Sequence, residues 1–180
     1  MNLPQPVAVA IWVVVGLVLV ALVVRGFVRM RRRGVDTIGD LPGRPDDLGE
    51  IVLGAVDVTY VSSTLAGEAL ARVGVHHLGD RSRGTATVHE NGVVVERSGS
   101  APLYVGRSAL EGVHITNGMV GKQLGTGTIV VLTWKAPATA PNDSITLDTG
   151  LHVRRTSDRE QLIAAIDALV PSTIDGEETS

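Results

Sequence analysis

The chain contains no cysteine, which excludes disulfides and thiolate metal sites and suits a domain in a reducing compartment. Aromatic residues make up only 3% of it, so Trp134 and Tyr104 read as core or rim residues on strands rather than as stacking platforms. Acidic residues are missing from the first 33 positions: all 19 lie after Arg33, together with 11 of the 16 basic ones. Residues 34–180 therefore carry 11 minus 19, or −8, against −3 for the whole chain. A part that acidic gains nothing from nucleic acid or from an anionic leaflet, because both reward Lys and Arg that neutralise phosphate. No nucleic acid and no specific lipid is expected as a partner. Catalytic patterns are absent as well: no nucleophile elbow, no Ser-x-x-Lys, no paired carboxylates. The five histidines show no His-x3-His spacing. These absences predict a non-enzymatic protein with no metal and no cofactor.

What is present first is an unbroken apolar run from Val7 to Val24, with Trp12 and Gly16 inside it. As a helix it would be about 27 Å long, close to the hydrocarbon thickness of a bilayer. No charged side chain interrupts it, so one helix can satisfy every backbone group. Arg25, Arg29, Arg31, Arg32 and Arg33 follow, while the six residues before the run carry no charged side chain. The positive-inside rule then predicts a single-pass protein of the cell membrane, with its N-terminus outside and the rest in the cytoplasm. A cleaved signal peptide would need its basic region before the run and small residues after it. A core helix would need a polar face.

Residues 1–33 thus read as an anchor. Residues 34–50, with four glycines, two prolines and five acids, read as a flexible acidic linker. Residues 51–171 form the folded domain and residues 172–180 a polar, disordered tail. Strands are expected at 51–53, 55–61, 85–89, 93–97, 103–105, 110–116, 128–135 and 144–147. The turn Glu90-Asn91-Gly92 is the strongest hairpin signal among them. About seven short antiparallel strands at this spacing argue for a barrel or a sandwich. Ser157 and Glu160 have the spacing of a capping box. Leu162, Ile163, Ile166, Leu169 and Val170 then give a helix one apolar face before Pro171 stops it. That face predicts a helix covering the open mouth or edge of the strands.

The order of span, linker, about seven strands and closing helix resembles a pleckstrin-homology-like (PH-like) domain. Five stretches are similar to an actinobacterial family of membrane-anchored PH-like proteins: residues 60–67, 72–79, 92–97, 120–122 and 130–134. The resemblance implies a mainly β fold, a PH-like barrel capped by one C-terminal helix. It also implies gene company with pyrimidine-biosynthesis enzymes; some members are labelled export or transporter proteins. Inositol-lipid binding is not implied. The loop at 67–84 has Arg72, Arg81 and Arg83 against Glu68 and Asp80, and the closing helix lacks the tryptophan of many eukaryotic members.

The residues expected to carry function are those of recognition. Arg72, His76, His77, Arg81 and Arg83 sit in the 67–84 loop, and Lys122 sits in the glycine-rich stretch 118–127. Adjacent strand residues point to opposite faces, so His76 and His77 are expected to put one ring in solvent and pack the other against the loop. In 118–127, Gln123 occupies the hydroxyl position of a P-loop, so a β-hairpin or a bulge is expected instead. Two functions follow. One is a scaffold that holds a cytoplasmic protein partner, a pyrimidine-biosynthesis enzyme being a candidate, at the inner leaflet. The alternative is an accessory subunit of a membrane transport or export complex, whose path another subunit would supply, since the span offers no polar group.

Overall fold

The computed structural model describes residues 38–171, apart from 69–70, 117, 120–121, 124–127 and 141–142, and also residues 12, 14–23 and 25. The chain divides into two compact units, Met1–Arg33 and Gly34–Ser180. In the first, residues 12, 14–23 and 25 are helical, and Trp12, Leu17 and Leu22 are exposed. Among the described residues no helix is long and apolar enough to cross a membrane. Val7, Val24, Arg29, Arg31, Arg32 and Arg33, on which the expected span depends, lie outside the described residues, as does the tail.

The second unit is one seven-stranded antiparallel sheet with a C-terminal helix. Its strands are β1 (Ile51–Leu65), β2 (Ser82–His89), β3 (Gly92–Arg97), β4 (Leu103–Gly106), β5 (Leu110–Thr116), β8 (Ile129–Pro137) and β9 (Ser144–His152). A separate hairpin of two two-residue strands, β6 (Gly118–Met119) and β7 (Lys122–Gln123), lies in the first part of the glycine-rich stretch, where a hairpin or a bulge is expected. The sheet order is β4-β3-β2-β1-β9-β8-β5. Its edges β4 and β5 do not pair, so the assembly is an open sheet and not a closed barrel. The expected pieces 51–53 and 55–61 are one long strand, β1, which pairs with β2 along its first part and with β9 along its second. A register shift between Tyr60 and Ser62 marks the change of partner. Such irregularities bend and twist a strand locally.

Side chains alternate along β1, with Val56, Val58 and Tyr60 facing inward. They meet Ala86, Val88, Leu132, Trp134, Leu147 and Leu151 in a single core. Each fully buried Leu, Ile or Val stabilises the fold by about 1.5–3 kcal/mol over its exposed state. The closing helix, Thr156–Asp167, packs on β1, β2 and β5 and buries Leu162 and Ile166, which is the apolar face read from the sequence. Its capping box does not form. Arg155 is the N-cap residue and makes no side-chain cap bond, and the Ser157 hydroxyl donates to Asp158 Oδ1 at 3.2 Å.

Residues 38–50, expected as flexible linker, lie along the sheet. Ile38 is buried and bridges to Ala138, and Gly39 N–H donates to Pro137 O at 2.8 Å. Further on, Arg44 pairs with Glu96 at 3.3 Å. Leu48 is buried, and its carbonyl accepts from Asn91 N–H at 3.1 Å. Gly34–Thr37 fall outside the described residues.

Candidate functional site

The loop between β1 and β2 is fixed from below by polar groups. Its residues run beside the end of β1: Val73 N–H donates to Ser63 O at 3.0 Å, and Ser63 N–H to Leu78 O at 2.6 Å. The loop's own Ala71, Val73 and Leu78 are buried. Arg97, only 6% exposed, reaches in from β3, and among the described residues it has no carboxylate partner. Its Nε and Nη2 donate to Ala101 O at 3.0 and 2.8 Å, its Nη1 to His77 O at 2.9 Å, and its Nη2 also to His76 O at 3.3 Å. The guanidinium carbon stands 5.1 Å from the centroid of the Tyr60 ring. Burial pushes the Tyr60 phenol up to about 12 despite the Ser63 hydrogen bond and the nearby arginine. Tyr60 is the end of a buried chain in which one choice of protons satisfies every group. Trp134 Nε1–H donates to Thr149 at 2.8 Å, Thr149 to Ser63 at 2.6 Å, Ser63 to Tyr60 at 2.8 Å, and Tyr60 to Leu78 O at 2.9 Å.

This scaffold changes the histidine reading. His76 and His77 are not on a strand; they form part of a short 3-10 turn with φ of 53° and 56°. Both are exposed. Their carbonyls must face Arg97, and the left-handed backbone that allows it turns both rings outward. His77 Nδ1 lies 2.9 Å from Asp80 Oδ2, and His76 Nε2 lies 3.0 Å from Gly39 O. Arg72, exposed, lays its stem against Gly79. Lys122 lies on β7 of the separate hairpin. The six expected recognition residues thus fall on three elements: Arg72, His76, His77 and Arg81 in the β1–β2 loop, Arg83 on β2 and Lys122 on β7.

Two of them do converge, with residues distant in sequence. Arg83 is not in the loop but on β2, paired with Thr59. His152 of β9 pairs with the same Thr59 from the other side. Asp57, two residues back on the same face, joins them, and the entry to the closing helix adds Arg154, Arg155 and Asp158. Together they line a polar cleft of about 540 Å³. Burial, followed by the charges of Arg81, Arg154 and Arg159, holds the His152 imidazole below its ordinary value. Arg81 and Arg159 thus act on the same place.

The electrostatic imbalance is local and strong. Among the described residues, none of the salt bridges involves Arg81, Arg83, Arg154, Arg155 or Arg159. Arg159 has a neutral partner, donating to Thr156 Oγ1 at 3.3 Å. Three of the 11 basic residues in 34–180, Arg83, Arg154 and Arg155, thus line one cleft of a part whose net charge is −8, and the charges of Arg81 and Arg159 act on His152 in it. Nothing local marks the arginines at 154, 155 and 159 as a site, since two precede the closing helix and Arg159 lies in its first turns. Only the pairing of β9 with β1 brings them beside Arg83. A second, shallower cleft, near Pro42, Tyr104 and Pro171, contains Arg107 as its one charged side chain. Among the described residues no three His, Cys, Asp or Glu side chains gather as a metal site would need. The arginine cleft has the chemistry of anion recognition, since each guanidinium offers a planar fork of donors.

No curated protein matches this chain. The model of the bacterial PH domain-like family matches residues 38–167, from the buried Ile38 to the last residue of the closing helix. With the seven-stranded sheet and its helix, that match over most of the length places the chain in the bacterial PH domain-like family.

Proposed function

We propose that this protein is a non-enzymatic PH-like binding module, anchored in the cell membrane, that holds a cytoplasmic protein partner at the inner leaflet. The observation that carries the reading is the set of unpaired arginines at the β1–β2–β9 cleft on an otherwise acidic domain. Unpaired cations gathered against the domain's own net charge repel one another, and such an arrangement is stabilised by a partner of opposite sign. The anchor is supported by the apolar run Val7–Val24 and the five arginines after it. The partner surface is the cleft with Arg81 and Arg83, rather than the whole 67–84 loop and the 118–127 hairpin. On the family resemblance, a pyrimidine-biosynthesis enzyme is the first partner to test.

Affinity capture with the full chain, cross-linked in cells before gentle solubilisation, tests this. A reproducible cytoplasmic partner should be recovered and then lost on combining Arg81→Glu with Arg83→Glu, while the chain still reaches the membrane. Capture that ignores those substitutions overturns the surface; no reproducible partner overturns the function. A phosphatase reporter fused after Ser180 should be silent, and activity there would reverse the orientation.

A further inference from the structure

We infer that the arginine cleft recognises an acidic peptide segment, one in which carboxylates alternate with hydrogen-bond donors. The inference rests on the partner reading above and specifies what part of the partner is read. Arg83, Arg154 and Arg155 line the cleft, and among the described residues none of their side chains has an anion or a hydrogen-bond acceptor of its own. A guanidinium pairs with a carboxylate through two parallel N–H donors, so several unpaired forks around one polar cleft match several carboxylates.

The cleft also contains Asp57 and Asp158, and these decide between anions. A compact dianion such as phosphate would concentrate its charge beside both carboxylates. A peptide spreads its negative charges over separate arginines and presents backbone N–H groups to the two aspartates. At about 540 Å³ the cleft is within the range that takes up a small ligand or a short stretch of chain, not a broad protein face. A charged bilayer is disfavoured for a different reason. It meets a whole side of a domain with net charge −8, whereas a short segment meets only the basic cleft, within a screening length of about 8–10 Å.

The test uses the full chain in a neutral detergent, with fluorescent oligoglutamate as the probe and oligoglutamine of the same length as control. Oligoglutamate should bind saturably, weaken with added salt, and outcompete oligoglutamine. Combining Arg83→Glu with Arg155→Glu should weaken it by about tenfold or more. Arg107→Glu, beside the other cleft, should leave it unchanged. The neutral pair Arg83→Gln and Arg155→Gln should show an intermediate loss if charge reversal disturbs folding. On saturation the His152 imidazole should titrate higher in NMR, because bound carboxylates neutralise the field of Arg81, Arg154 and Arg159.

Oligoglutamate binding that survives both double variants overturns the inference. So does the converse specificity, in which inorganic phosphate or phosphatidylglycerol vesicles require these arginines and oligoglutamate does not bind. The two readings fail separately. Arginine-dependent capture without oligoglutamate binding removes the acidic segment and keeps the partner. Oligoglutamate binding with nothing captured keeps the chemistry of the cleft and removes the cytoplasmic partner.

Discussion

Arg97 shows how one residue shapes a loop it does not belong to. Moving a lone cation out of water is costly, and no carboxylate offsets the cost here. Three backbone carbonyls and the face of Tyr60 do so instead. The loop's left-handed turn at His76 and His77 is the conformation that aims those carbonyls at it. Lysine carries the same charge but cannot fork toward Ala101 and the turn together. Arg97→Lys is predicted to cost about 2–4 kcal/mol, since hydrogen bonds to a charged group are lost and buried carbonyls are left without donors. Urea denaturation measures it. A change inside the scatter of surface substitutions, about 0.5 kcal/mol, would show that the loop holds without the arginine.

Among the elements, legibility followed the local signal. The hairpin at Asn91-Gly92, the limits of β5 and the apolar face of the closing helix were all readable, because each depends on neighbours in the chain. The sequence pattern ends this strand at Leu147, but β9 continues to His152. Asp148, Thr149 and Gly150 look like a turn until their partners are known. Asp148 accepts from Thr133 Oγ1 at 2.7 Å, Thr149 joins the buried chain from Trp134, and Gly150 lies opposite Val131. Residues 38–50 misled for the same reason. Their glycines, prolines and acids carry little hydrophobic pattern, yet Ile38 and Leu48 find buried sites on a sheet that the local sequence does not reveal. In the site, Arg81 and Arg83 were legible as basic residues on a loop. Their companions at 154, 155 and 159 were not, since only long-range pairing assembles them. The capping spacing of Ser157 and Glu160 was a true pattern that the fold left unused, with Ser157 bonded to Asp158 instead.

At the scale of the whole molecule, charge and connectivity have separate consequences. Burial first, and then the charges of Arg81, Arg154 and Arg159, depress the folded proton affinity of His152, whose cleft Asp57 and Asp158 also line. A group of that kind contributes stability fully present above its unfolded pKa of 6.5 and lost as pH falls through the lower folded value. Acidification below 6.5 should therefore destabilise the protein, and His152→Gln should flatten that slope. Unfolding free energies measured across the window check it; an unchanged slope would remove His152 as the cause. Glu111, held low chiefly by its hydrogen bond from Lys135, acts in a more acidic range, below its usual 4.5. Connectivity bears on the speed of folding. The strands β1 to β4 pair in sequence, and so do β5, β8 and β9, but only β1 against β9 joins the two sets. Ser63 and Thr149, which bond across that seam, are 86 positions apart. Closing such a loop costs about 4 kcal/mol of chain entropy before any contact rewards it. The seam is thus the slow step, and a nucleus must already include it. Thr149→Val, which breaks the buried chain at the seam, should slow refolding as well as speed unfolding in a stopped-flow chevron. If only the unfolding rate moved, the two halves would be meeting after the barrier, and the time this chain spends with exposed strand edges would be set elsewhere.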